Sequence, residues 1–82
     1  MANQIIWKPR LYTEGLTWVN DGADCVIINN GVADVIVNGL ILSPQASITD
    51  SCFGNEINRT AYVIQFSGPG TQSVIIKTKY YL

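Results

Sequence analysis

The chain reads as all-β, a small antiparallel β-sandwich (jelly-roll/Ig-like) of about seven to eight short strands, and three observations lead there. Short apolar runs recur at roughly 8–12-residue spacing. They are separated by strong turn signals: Asp21-Gly22, Asn30-Gly31, Asn38-Gly39 and Gly68-Pro69-Gly70. No segment carries a 3.6-residue apolar period over the length a helix needs. With apolar faces on several strands, two packed sheets are expected, and a closed barrel is the alternative.

Taken in order, a first strand is expected from Asn3 to Lys8, closed by Pro9, which cannot donate to a sheet ladder. Tyr12 to Gly15 reads as a turn, and Leu16 to Asn20 as the second strand. Asp21-Gly22 then offers a hairpin turn into Cys25 to Asn29. Ser43-Pro44-Gln45 bends the chain, Ala46 to Thr49 resumes it, and Asp50 to Asn58 is the longest loop. Ala61 to Phe66 alternates, with Tyr62, Ile64 and Phe66 on one face. The last strand runs from Ser73 to Leu82, with Val74, Ile76, Thr78, Tyr80 and Leu82 facing one way. No linker or repeat divides residues 1–82, so a single domain is expected.

The two Asn-Gly pairs predict a three-stranded meander. A two-residue type I′ loop at Asn38-Gly39 sets Val37 against Leu40 and Val35 against Leu42. The same construction at Asn30-Gly31 sets Ile28 against Ala33 and Val26 against Val35. One face would then be apolar throughout, from Val26 to Leu42. The other would carry Cys25, Ile27, Asp34, Ile36 and Ile41, which is too apolar for open water.

Composition points to association. Only 13% of the 82 residues are charged while 48% are hydrophobic, and a domain of this size buries only roughly 60–65% of its unfolded surface. Some apolar surface is therefore expected to meet another chain. Five basic residues are scattered among six acidic ones for a net charge of −1, which is not the footprint that a phosphate backbone requires, and nucleic acid is excluded as a partner. Lys77 and Lys79 read as edge lysines that discourage strand addition. The N-terminus lacks the pattern of a signal peptide, and no apolar run is long enough to cross a membrane as a helix.

The chain carries little chemistry. Histidine is absent, which removes the commonest general base and metal ligand. Asp21-Gly22-Ala23-Asp24 lacks the alternating oxygen ligands of a calcium loop and reads as turn chemistry. Cys25 and Cys52 have no histidine to activate them; Cys25 reads as a buried small hydrophobe and Cys52 as a loop thiol, with a disulfide between them the alternative. Asn58-Arg59-Thr60 matches the glycosylation sequon but follows no secretory signal. No enzyme activity, cofactor or metal is expected.

The aromatic residues are the remaining candidates for function. Trp7, Tyr12, Trp18, Tyr62, Tyr80 and Tyr81 could anchor a protein interface or stack on a surface glycan. Core packing competes for Trp18 and Tyr62, whereas Tyr12 and Tyr81 are the more exposed positions. The interface candidates are thus Tyr12, Trp18, Ile36, Ile41 and Tyr81.

The stretch from Ile27 through Asn29-Asn30-Gly31, Asn38-Gly39 and Ser43-Pro44, followed by Ala46-Ser47-Ile48 and Tyr62-Val63-Ile64-Gln65-Phe66, resembles small β-sandwich virion proteins of tailed bacteriophages. Gln45 departs from the pattern, which usually has Gly there. The resemblance implies a capsid-decorating, fibre or tail-associated subunit without enzymatic activity. Such a subunit would be made in the host cytoplasm, reside in the virion, and have itself or other virion proteins as partners. A carbohydrate- or receptor-binding module is the alternative; an exposed Trp and Tyr beside Asp or Asn would favour it.

Overall fold

The structure, a computed structural model, describes residues 5–51 and 59–81. These form eight strands: β1 (Ile5–Tyr12), β2 (Leu16–Val19), β3 (Cys25–Asn29), β4 (Asp34–Val37), β5 (Leu40–Leu42), β6 (Ser47–Asp50), β7 (Ala61–Ser67) and β8 (Val74–Tyr81). They make two four-stranded sheets, sheet A in the order β1-β8-β3-β6 and sheet B in the order β2-β7-β4-β5. Every pairing is antiparallel. The pairs β1·β8, β2·β7, β3·β6 and β4·β5 are those of one long hairpin with its tip between β4 and β5. Its successive strand pairs are laid alternately into one sheet and the other. That winding is a jelly roll, an open sandwich rather than a closed barrel.

The core lies between the sheets. Sheet A contributes Cys25, Ile27, Val74 and Ile76, and sheet B contributes Trp18, Val35, Val37, Leu42, Tyr62 and Ile64. Phe66, Leu16 and Ile48 pack against its margins. Burial alternates along β3, β4 and β8, as two-sheet packing requires.

The Asn38-Gly39 hairpin forms in the expected register, with Val37 opposite Leu40 and Val35 opposite Leu42. Both turn residues have positive φ, 48° and 85°, as a type I′ turn demands. Gln45 also adopts the left-handed conformation, φ 70°, which explains why glycine would suit that position.

The Asp21-Gly22 and Asn30-Gly31 turns are not hairpins. β2 and β3 lie in different sheets, as do β3 and β4, so Asp21-Gly22 and Asn30-Gly31 mark corners where the chain changes layer. β3 pairs with β6 and β8, and the expected pairs Ile28–Ala33 and Val26–Val35 do not exist. Consequently Cys25 and Ile27 point into the core while Val26 and Ile28 face outward, the reverse of the meander's prediction. Each corner is built on a fully buried asparagine. Asn20 Oδ1 accepts from the Gly22 N–H at 3.1 Å, and its amide donates to the Ala23 carbonyl at 2.8 Å. Asn29 Oδ1 accepts from the Gly31 N–H at 2.9 Å, and its amide donates to the Ala33 and Leu42 carbonyls, both at 2.9 Å. The glycines here provide space. A Cβ on Gly31 would stand 2.3 Å from the Thr71 carbonyl oxygen, and one on Gly22 would stand 2.7 Å from that of Lys79.

The first strand continues through Pro9 to Tyr12. β1 is a sheet edge, where a residue without an N–H is tolerated if its nitrogen faces away from the ladder. Lys77 and Lys79 sit on β8, an interior strand, and so do not guard an edge. Lys8, Pro9 and Arg10 of β1 occupy that position instead. Most of the expected loop from Asp50 to Asn58, together with Cys52, lies outside the described residues.

Candidate functional site

The acidic residues nearest each other in sequence are engaged separately. Asp21 accepts a hydrogen bond from the Tyr80 hydroxyl, to which Arg10 Nη2 donates at 3.1 Å, while Lys8 Nζ stands 5.3 Å from the Tyr80 ring centre. Burial first, and then this bond to a carboxylate, hold the Tyr80 phenol above its ordinary pKa, with Arg10 opposing. Asp24 pairs with Lys79 at 3.4 Å on the opposite side of sheet A, and Lys79 Nζ lies 5.3 Å from the centre of the Tyr81 ring. Asp21 and Asp24 thus face different groups instead of converging on one cation. Among the described residues no group of three or more His, Cys, Asp or Glu side chains is placed to hold a metal ion.

Cys25 lies in the core, its thiol 3.6 Å from the Tyr62 hydroxyl, which in turn donates to Asp50. Tyr62 also stacks on Trp18, with ring centres 5.6 Å apart. These contacts assign Trp18 to the core at 5% exposure, so it offers a partner no free face. Tyr12 is half-buried against the core margin and lines a shallow groove with Leu11, Glu14 and Leu16. Glu14 is the groove's one ionisable carboxylate; acid–base cleavage of a glycoside would require two.

The outer face of sheet B is where exposed apolar side chains gather. Alternation places Thr17 and Val19 of β2, Ala61, Val63, Gln65 and Ser67 of β7, Asp34 and Ile36 of β4, and Ile41 of β5 on that side. Ile36 lies between Ile41 on one neighbouring strand and Gln65 on the other, and Val63 lies opposite Thr17. Ile41 is 64% exposed, Val19 54% and Val63 46%. Among the described residues on this face, only Asp34, at the end of β4, carries a charge. The sequence-based candidates Ile36 and Ile41 are therefore direct cross-strand neighbours, whereas Val19, Val63 and Gln65 were not singled out. Alternation along residues 61–66 was the available signal for the last two.

The outer face of sheet A is apolar but charged. Trp7, 45% exposed, lies opposite Lys79, and Ile5 opposite Tyr81, so Trp7 and Tyr81 share a face with the Lys79–Asp24 pair. Leu11 continues that face across Ile75 to Ile28, with Lys77 between Pro9 and Val26. Sequence reasoning named Tyr81 but left Trp7 among the general aromatics, because β1 pairs with β8, a partner too far along the sequence for any local signal to identify.

No protein-family model, curated protein or solved structure matches this chain.

Proposed function

We propose that this chain is a non-enzymatic structural subunit that works by docking the outer face of sheet B onto a neighbouring subunit. The observation carrying this reading is the cluster of exposed Val19, Val63 and Ile41 around the half-buried Ile36, on strands whose outward side chains carry a charge only at Asp34, the end of β4. Such a patch is costly to leave in water and is the raw material of protein interfaces. All four sheet edges are short or carry proline and basic residues, which favours association through faces rather than strand addition. The assembly is proposed to be a bacteriophage virion. That part rests on the sequence resemblance and on the use of jelly rolls in capsid proteins, an analogy at the level of fold. Ile36→Asp and Ile41→Asp place carboxylates on the face without touching the core. They should abolish incorporation into the particle while leaving the circular dichroism spectrum unchanged. Folded variants that incorporate normally would place the contact elsewhere.

A second reading has its own support, since jelly rolls also serve as lectins. Trp7 presents an exposed indole on the face that holds Tyr81 and the Lys79–Asp24 pair, so a sugar ring could stack on the indole while its hydroxyls bond the charged pair. Retention on a glycan array, lost in Trp7→Ala and kept in Ile41→Asp, would establish this reading over docking.

A further inference from the structure

We infer that the subunit seated on the outer face of sheet B is a second copy of this chain, packed face to face about a two-fold axis near Gln65. The inference rests on the docking function proposed above and names its partner.

Charge decides between self and other. In an isologous contact each residue meets the same patch on its partner, so any net charge near the axis faces its own kind. The outer face of sheet A, with Lys77, Lys79 and the neighbouring Asp24, carries charge across its middle. On sheet B the interior of the face is neutral, and Asp34 stands at the end of β4, opposite Ser67. This face can meet its own copy without opposing like charges at the centre.

Gln65 supplies the second argument. It is exposed, on β7, one of the two central strands, directly opposite Ile36 and next on its face to Val63. A polar side chain in the middle of an apolar patch would be left unsatisfied by an aliphatic partner. A carboxamide has both a donor and an acceptor, so two copies related by a two-fold axis can satisfy each other reciprocally. One buried amide of this kind also fixes register within an otherwise featureless contact.

Size sets the expected strength. Four strands at about 4.8 Å spacing and about 3.4 Å per residue give a flat footprint of roughly 300–400 Å² per copy. That is below the standard interface size, so the pair by itself should be weak and reversible. Within a particle, many such weak contacts act together through multivalency.

The test is sedimentation equilibrium of the 82-residue chain from about 10 µM to about 1 mM, the range in which a small interface of this class dissociates. Wild type should pass reversibly from monomer to dimer. Gln65→Glu should weaken the dimer at least tenfold at neutral pH by opposing two carboxylates, and recover most of that loss near pH 4, where they protonate. Lys77→Glu, on the other face, should associate as wild type. If Gln65→Glu loses its circular dichroism spectrum, Gln65→Lys makes the same test of like charge at neutral pH. A wild type that stays monomeric throughout, or a folded Gln65→Glu that dimerises as tightly as wild type at neutral pH, overturns the inference. If that monomer still enters particles in a manner that Ile41→Asp prevents, the docking function stands with a different partner. If Ile41→Asp enters as well, both fail.

Discussion

The side-chain amide of Asn29, at the end of β3 in sheet A, donates to the main-chain carbonyl of Leu42, at the end of β5 in sheet B, at 2.9 Å. The same residue meets the Gly31 N–H and the Ala33 carbonyl through its side chain, and its backbone pairs with Ala46 and Gln45. One fully buried polar residue thus ties together the corner, the bend after β5 and the two layers. Asn29→Ala would leave buried backbone groups without partners and should cost about 3 kcal/mol, read from the urea midpoint. Asn29→Asp, which puts an acceptor where two donors are required, should be at least as damaging. A midpoint equal to wild type in either variant would show that the bridge contributes nothing.

Gly31 and Gly39 should respond to substitution for different reasons. Gly39 has φ 85° and open space around its Cβ position, so Gly39→Val meets backbone strain of about 1–2 kcal/mol. At Gly31 no positive φ is required, but a methyl group would strike the backbone of Thr71 and Ser73. Gly31→Ala should therefore cost about 2–3 kcal/mol even for the smallest side chain. Comparing Gly31→Ala with Gly39→Ala by thermal unfolding checks the order, and a larger loss at Gly39 would reverse the assignment.

Gln45 holds a left-handed conformation at φ 70° with its side chain exposed. Gln45→Gly relieves that strain at little packing cost and should stabilise the fold by about 0.5–1 kcal/mol. A lower melting temperature would mean that the glutamine side chain contributes more than its backbone conformation costs.

The raised pKa of Tyr80 predicts a loss of stability in alkali. The unfolded phenol ionises near pH 10, while the folded one stays protonated to higher pH because burial and the Asp21 carboxylate disfavour its anion. Its contribution is therefore intact below the unfolded pKa and declines as pH rises through the folded pKa. Tyr80→Phe cannot ionise, so its urea midpoint should fall less steeply than wild type between about pH 9 and pH 11. Parallel curves would remove Tyr80 from the alkaline response.

The sequence by itself determined the strand content, the all-β class, the Asn38-Gly39 hairpin with its register, and the alternation that buries Tyr62, Ile64, Val74 and Ile76. In each case a local constraint, a turn needing positive φ or a strict two-residue apolar period, had one solution. Sheet membership was decided only in the tertiary structure. Val26, Ile27 and Ile28 are all aliphatic, so alternation could not say which side of β3 faces the core. An Asn-Gly dipeptide serves equally as a tight hairpin or as the corner of a buried asparagine. At Asn30-Gly31 the choice fell to long-range contacts: the Asn29 amide reaching Leu42, and the backbone near Thr71 and Ser73 closing over Gly31. The candidate face followed the same division. The cross-strand pairing of Ile36 with Ile41 was legible from the hairpin, but its extension to Val19, Val63 and Gln65 required β7 to be inserted between β2 and β4. That placement depends on how the whole chain winds, because β7 must pair with both β4 and β2, each far from it in sequence, before it exists.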